Sequence, residues 1–450
     1  MIQALANPAA VLAAGAEEPF TLALMLACFG GLAIAARWPI GVSLAAAAWI
    51  GAAANGEFFP LRHLVEGAFS YLDPILVIAT AMIFMRVLAD GGALAAVGGA
   101  VERRFRGRPL LLLPTVMLIV MFPGMITGSS TASVLTAGAM AASILLPLGL
   151  AAPRTAALIA LGGILGMVAP PINIPAMLIG TGIDLPYVGF AAPLAIVAFP
   201  LALVFAYGLG WPILRRKHAP NGGAHADAAV VVPNASGGPA MPPGVPIWRA
   251  AIAPLVAAML MLAPRVWPLQ VPDPGLPLTF LVAAAAGVSS LARFPVTASL
   301  TTAISDSLGV LGILAGVGGF IQVMTLTGAR GWLVALMLGA PPWAIYLAAA
   351  VSMPLFGAVS AFGSASVLGV PFLLALLGRD EVVTTAALSL LASLGDLMVP
   401  AALAATLAAQ VTGVRDRRQV LRLCLVPALV AAGVAVVVLV WSSAIGRVLP

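Results

Sequence analysis

The chain has 450 residues, of which 62% are hydrophobic and only 8% charged, with a net charge of +6 and a mean hydropathy of +1.13. A water-soluble domain carries roughly a quarter charged residues, so this composition excludes one, and the uncharged runs repeatedly reach the roughly 20 residues that cross a bilayer as a helix. A membrane β-barrel needs alternating polarity over segments of about ten residues; that pattern is absent, and the expected fold class is an all-α polytopic membrane protein.

Apolar segments fall at about 20–36, 39–54, 74–89, 110–150, 155–182 and 187–211, and again at 250–264, 277–292, 303–326, 343–378, 383–412 and 420–445. No Lys or Arg precedes Arg37, so the basic start of a signal peptide is missing and the first helix is expected to begin on the outer side. The runs at 110–150 and 343–378 are each interrupted by a Gly/Ser patch, and those at 155–182 and 383–412 by proline. A Gly/Pro/Asn-rich stretch without periodicity, 215–247, separates the two sets and reads as a flexible linker. Cys28 and Cys424 lie in apolar segments with no ligand spacing and read as core fillers.

The two sets resemble one another. FMRVLADGGA at 84–93 pairs with FIQVMTLTGA at 320–329, an offset of 236; GSSTASVL at 128–135 pairs with AFGSASVL at 361–368, an offset of 233. TAAL at 155–158 recurs at 385–388, and the same offset of 230 carries Pro170 onto Pro400. Matches in one order with slowly drifting offsets indicate an internal repeat.

Charge tests the topology independently. If 110–150 and 343–378 are re-entrant hairpins, each half has five spanning segments and the halves run in opposite senses. Sixteen of the 21 Lys and Arg residues then fall inside and five outside, as the positive-inside rule requires. The clusters at Arg103–Arg108 and Arg215–Lys217 share a side only in this arrangement. The basic balance is therefore a topology signal, and no nucleic acid is expected as a partner. The expectation is two inverted-topology repeats, 1–214 and 248–450, joined by a cytoplasmic linker at 215–247. They hold about ten spanning helices plus two hairpins in the bacterial inner membrane, with both termini periplasmic. Inverted repeats with matched helix breaks point to a secondary transporter with its site at the midplane.

Non-helical backbone survives at membrane depth only where it is buried in protein or lines a cavity. The first hairpin tip, PGMITGSSTAS, offers backbone carbonyls and the hydroxyls of Thr127, Ser129, Ser130, Thr131 and Ser133, with Gly128 letting the chain turn tightly. The second offers Ser360, Gly363, Ser364 and Ser366. Hard cations such as Na⁺ take oxygen ligands; the alternative is that small residues simply allow close helix packing. In LGMVAPPINIP, Pro170 and Pro171 cannot continue a regular helix, and Asn173 is either a ligand or a helix cap. In LGDLMVP, Asp396 precedes Pro400 and is an intramembrane acid, by default functional, with a structural hydrogen-bond acceptor as the alternative. No Lys or Arg is expected at the midplane, so an anion there would rely on half-helix N-termini, hydroxyls and a co-bound cation. No enzyme is expected: His63, His218 and His225 all fall in loops or the linker. A cation/proton antiporter with Asp396 as proton carrier is the competing reading.

At these residues the chain resembles the large membrane subunit of tripartite ATP-independent periplasmic (TRAP) transporters, and more broadly the ion transporter superfamily of sodium-coupled carboxylate carriers. TGSSTA (127–132) is similar to that subunit's first hairpin loop and LGMVAPP (165–171) to its Leu-Gly-x-x-x-Pro-Pro break; RWPIG (37–41) and the Asp73-to-Gly92 stretch are also similar. The resemblance covers the first half to about residue 211. In the second half LMVPAA (397–402) and Asp396 stand where a second Pro-Pro-x-Gly break would be expected. The resemblance implies Na⁺-coupled uptake of C4-dicarboxylates or related organic acids by an elevator movement. Its partners would be a small membrane subunit and a periplasmic binding protein, besides membrane lipid. It implies Na⁺ at Thr127, Gly128, Ser129 and Ser133 with Pro170, and at Ser360 and Ser366 with Asp396 and Pro400. Substrate would lie between the tips, against Ser130, Thr131, Asn173, Gly363 and Ser364.

Overall fold

The computed structural model describes residues 17–105, 107–216 and 245–449, and among these every regular element is helical. Most of the linker lies outside the described residues. Among the described residues seven helices are long and apolar enough to cross a membrane: Glu17–Ala35, Leu72–Asp90, Pro109–Thr127, Ala191–Arg215, Ile247–Val266, Val296–Leu326 and Arg417–Val440. Shorter apolar helices supply the rest, and their shortness follows from the interruptions seen in the sequence.

The first half comprises α1 (Glu17–Gly30, continued by a π-helical turn to Ala35), α2 (Ile40–Ala54), α3 (Leu61–Ser70), α4 (Leu72–Asp90) and α5 (Ala93–Phe105). A hairpin of α6 (Pro109–Thr127) and α7 (Ser130–Leu145) follows. Next come a helix broken into α8 (Ala152–Val168) and α9 (Ile174–Thr181), and then α10 (Ala191–Arg216).

The second half repeats the order. It runs through α11 (Ile247–Val266), α12 (Gly275–Ser290), α13 (Val296–Leu326) and α14 (Ala329–Leu338) to a hairpin of α15 (Pro342–Gly357) and α16 (Ala361–Ala375). The second broken helix is α17 (Glu381–Ser393) and α18 (Leu403–Val411), and α19 (Arg417–Val440) follows. In the first half α3 and α4 are separate helices; α13 covers the same ground as one 31-residue helix. Three helices, α3, α5 and α14, fall where the sequence reads as loops. Each is 13 residues or fewer, and α3 and α5 mix apolar with charged residues, so a search for spanning length passes over them.

These helices sort into two bodies. Helices α1–α4 pack with α11–α13; both hairpins pack with α8–α10 and α17–α19. Helices α5 and α14 bridge them, each touching a helix of the first body and a hairpin arm of the second. Within the second body, α8 is buried without interruption from Thr155 to Val168 and α17 from Val383 to Ser393. A helix that is apolar on every side belongs in a core, and these two half-helices form it. Outward faces are apolar as well: Leu425, Val426 and Leu429 on α19 and Leu255, Met259 and Leu262 on α11 are exposed, as lipid-facing positions should be.

Candidate functional site

Each hairpin turns at its Gly/Ser patch. Gly128 closes α6 in the left-handed conformation, φ 61°, with its N–H donating to Gly124 O at 2.7 Å. A β-carbon there would lie 2.4 Å from Ile174 of the first break, so both the backbone angle and the space demand glycine. Ser129 then caps α7 by accepting from Ala132 N, and Ser360 caps α16 by accepting from Gly363 N at 3.0 Å, the standard role of serine at a helix start.

The two breaks lie against the hairpins' first arms through glycine pairs. A β-carbon on Gly124 would lie 2.9 Å from the backbone of Gly166, and one on Gly395 would lie 2.3 Å from the backbone of Gly357. These are the same two places in each repeat. Both breaks contain a cis peptide bond, at Pro170–Pro171 and at Val399–Pro400. Beyond that they differ. Around the first, Ala169, Ile172 and Asn173 are buried and Pro170 is half-buried; in the second, Met398, Val399 and Pro400 are exposed.

In the first break nearly every donor is committed. Ile172 N–H donates to Met125 O of the hairpin at 3.1 Å, and Asn173 N–H donates to the hydroxyl of Tyr187 at 2.9 Å. Asn173 uses its carboxamide fully: Oδ1 accepts from Ala176 N, capping α9, while Nδ2 donates to Val168 O and to Ser389 Oγ of α17. The capping alternative for Asn173 is therefore what its side chain does here. Among the described residues no hydrogen bond reaches the carbonyls of Ala169, Pro170 and Ile172, nor those of Ile126, Thr127 and Gly128 at the end of α6. The C-terminal end of α6 is the negative end of its dipole, so these unpaired oxygens are the ones that could accept a cation.

The tip hydroxyls commit their protons to backbone carbonyls. Thr127 donates to Pro123 O, Ser133 to Val120 O, Ser364 to Met353 O and Ser366 to Phe362 O. A hydroxyl whose proton is already engaged in a hydrogen bond has only its lone pairs to offer another partner. Ser364, assigned to substrate on sequence grounds, donates to Met353 O, which leaves only its lone pairs for a further partner, and it is fully buried. Thr131 is half-buried and makes no side-chain hydrogen bond among the described residues; with the first-turn N–H groups of α7 it is the available donor at the first tip.

Asp396 sits in a 3₁₀ turn, Leu394–Leu397, at 8% exposure. Sequence symmetry puts it with Ser360–Ser366. The structure adds a partner from the other repeat: its Oδ2 accepts from Ser130 of the first tip, while the Leu394–Leu397 turn also packs against Ala361–Ser364 of the second tip and Gly395 rests on the second hairpin's first arm. The carboxylate thus bridges the two repeats. No Lys, Arg or His pairs with it among the described residues. Pro400 is exposed. Tyr187 and Ser389 carry site contacts that sequence reasoning missed; neither stands in a motif, and the only hint is that Tyr187 is one of four tyrosines.

Two halves of like order, two hairpins and two broken helices with polar tips make an all-α, multi-pass membrane architecture. The crystal structure of the Alcanivorax borkumensis YdaH transporter, described as revealing an unusual topology, shares this fold. Its TM-score is 0.60 at 18% sequence identity, over 85% of this chain and 88% of that one. At that identity the likeness is one of fold. No protein-family model and no curated protein sequence matches the chain.

Proposed function

We propose that the protein is a secondary transporter that couples inward Na⁺ movement to uptake of a small organic anion, a C4-dicarboxylate or related acid. The observation that carries this is Asp396: a buried carboxylate whose one side-chain hydrogen-bond partner among the described residues is a hydroxyl. An uncompensated buried charge is costly, and a cation held between Asp396 and the first tip removes that cost. One Na⁺ lies by the free carbonyls of α6 and the first break, near Thr127, Gly128, Ser129, Ser133 and Pro170. A second lies by Asp396, with Ser360, Ser366 and Pro400 as the outer candidates. Four half-helices, α7, α9, α16 and α18, begin at the tips and breaks, and their N-terminal dipoles favour an anion's carboxylate. The separation into two bodies bridged by α5 and α14 suits an elevator movement of the hairpin body against the other.

Reconstitution into vesicles tests this reading. An inward Na⁺ gradient is expected to drive accumulation of a labelled C4-dicarboxylate, without a proton gradient. Proton efflux driven by the inward Na⁺ gradient, read as alkalinisation of the vesicle lumen without dicarboxylate accumulation, would instead select the second reading, a cation/proton antiporter with Asp396 as the proton carrier. Adding a periplasmic binding protein and a small membrane subunit would show whether the chain works alone.

A further inference from the structure

The first break is held from outside itself. Tyr187 follows α9 in the loop 182–190, and its hydroxyl returns to the break at the start of that helix. It accepts from Asn173 N–H at 2.9 Å and donates to Pro171 O at 3.2 Å. The ring is stacked on Phe190, centroids 4.9 Å apart and planes 14° from parallel, and Phe190 is itself buried. The loop is tied down in turn: Leu185 N–H donates to Gly180 O at 3.0 Å, and Arg330 of α14 donates to Gly182 O at 2.5 Å.

Among the described residues the second break has no such clamp. It closes on its own main chain, Met398 N–H to Gly395 O at 2.8 Å and Ala402 N–H to Met398 O at 2.9 Å. The difference matters because a proline pair supplies no N–H of its own. Between Ala169 and Asn173 only Ile172 N–H and Tyr187 tie the main chain to its surroundings, and the carbonyls left over are those of Ala169, Pro170 and Ile172. A cation site made of main-chain oxygens binds tightly only when those oxygens are held in place beforehand, since ordering them on binding costs free energy.

We propose that Tyr187 is a positioning residue for the cation site at the first break. By fixing the peptide groups of Pro171 and Asn173 it presents the carbonyls of Ala169, Pro170 and Ile172 to an ion shared with Thr127 and Gly128. It touches neither ion nor substrate. The inference rests on the proposed sodium coupling and deepens it, assigning the affinity of one site to a loop residue.

Tyr187→Phe keeps the ring and its stacking on Phe190 and removes only the hydroxyl. Purified wild type and variant are titrated with Na⁺ against choline, reading both the rise in melting temperature and vesicle uptake of a labelled C4-dicarboxylate. Losing one or two hydrogen bonds of ordinary strength is expected to raise the half-saturating Na⁺ concentration by about three- to ten-fold, with the maximal rate retained. Deuterium exchange in the 169–177 peptide should be faster in the variant at low sodium and return to the wild-type rate when sodium saturates. An unchanged sodium midpoint, or a lost maximal rate at an unchanged midpoint, would overturn the assignment while leaving sodium coupling standing. A wild type indifferent to sodium would remove both, and that failure is visible in the wild type alone. Should the variant not accumulate, the wild type decides: sodium must slow exchange in the 169–177 peptide, and no slowing rejects the proposal.

Discussion

Ser130 donates its hydroxyl proton to Asp396 across 266 residues of sequence, joining the first hairpin tip to the second broken helix. The bond is one of two, with Asn173 to Ser389, that tie the repeats' polar groups together, and it gives two substitutions that separate charge from geometry. Asp396→Asn keeps the shape and one oxygen but loses the charge. As a Na⁺ ligand it should leave a transporter with weaker sodium dependence, partly rescued at high sodium. Ser130→Ala removes a hydrogen bond to a charged group, worth about 1.5–3 kcal/mol, and is expected to shift sodium dependence by about ten-fold or more. Sodium titrations of reconstituted protein measure both; curves identical to wild type would make Asp396 a structural acceptor.

The glycine contacts predict where the core tolerates no added atom. Gly395→Ala would place a methyl 2.3 Å from the Gly357 backbone, and a rigid backbone cannot move aside as a side chain can. Overpacking of this kind costs about 1–3 kcal/mol, sometimes more, so the variant should show a lower melting temperature and yield. Gly433→Ala on α19 meets nothing within 4 Å and should be neutral or slightly stabilising. Equal losses in both would contradict the packing described.

Asn173 offers a third test. Asn173→Asp retains the oxygen that caps α9 but removes the donors to Val168 O and Ser389 Oγ. Asn173→Ala loses the cap as well, worth about 0.5–2 kcal/mol. Thermal unfolding in detergent is expected to rank wild type above both, and Asn173→Ala should additionally expose the α9 amides to faster exchange.

Orientation is testable at described positions. A cysteine replacing exposed Asp273, between α11 and α12, should react with an impermeant reagent on intact cells. One replacing exposed Arg293, between α12 and α13, should react only after permeabilisation. The reverse result would invert the topology.

Much of this was legible in the chain because it is punctuated locally. Gly128 and its serines, the Pro170–Pro171 pair and Pro400 mark interruptions that no tertiary contact is needed to explain, and the structure has its turns and breaks there. The bridging helices α5 and α14 left no such mark, since short helices that run between bodies need neither spanning length nor a long apolar run. The pairing of Asp396 with Ser130 was hidden for another reason. Symmetry matches each break to its own hairpin, whereas this hydrogen bond crosses between repeats, and a contact over 266 residues has no local signature. Tyr187 was invisible on the same grounds, a single loop tyrosine whose role exists only once the loop folds back.

The cross-repeat bonds also impose an order of manufacture. When the ribosome has delivered the first half, Ser130 and the Asn173 carboxamide have no Ser389 or Asp396 to meet, because those partners are still 216 and 266 residues downstream. Unpaired polar groups in hydrocarbon are expensive, so the newborn first half must keep its polar centre wet, or shielded by the insertion machinery, until translation finishes. A chain truncated at the linker should therefore be a substrate for membrane quality-control proteolysis, whereas co-expressing the missing half as a separate polypeptide should protect it.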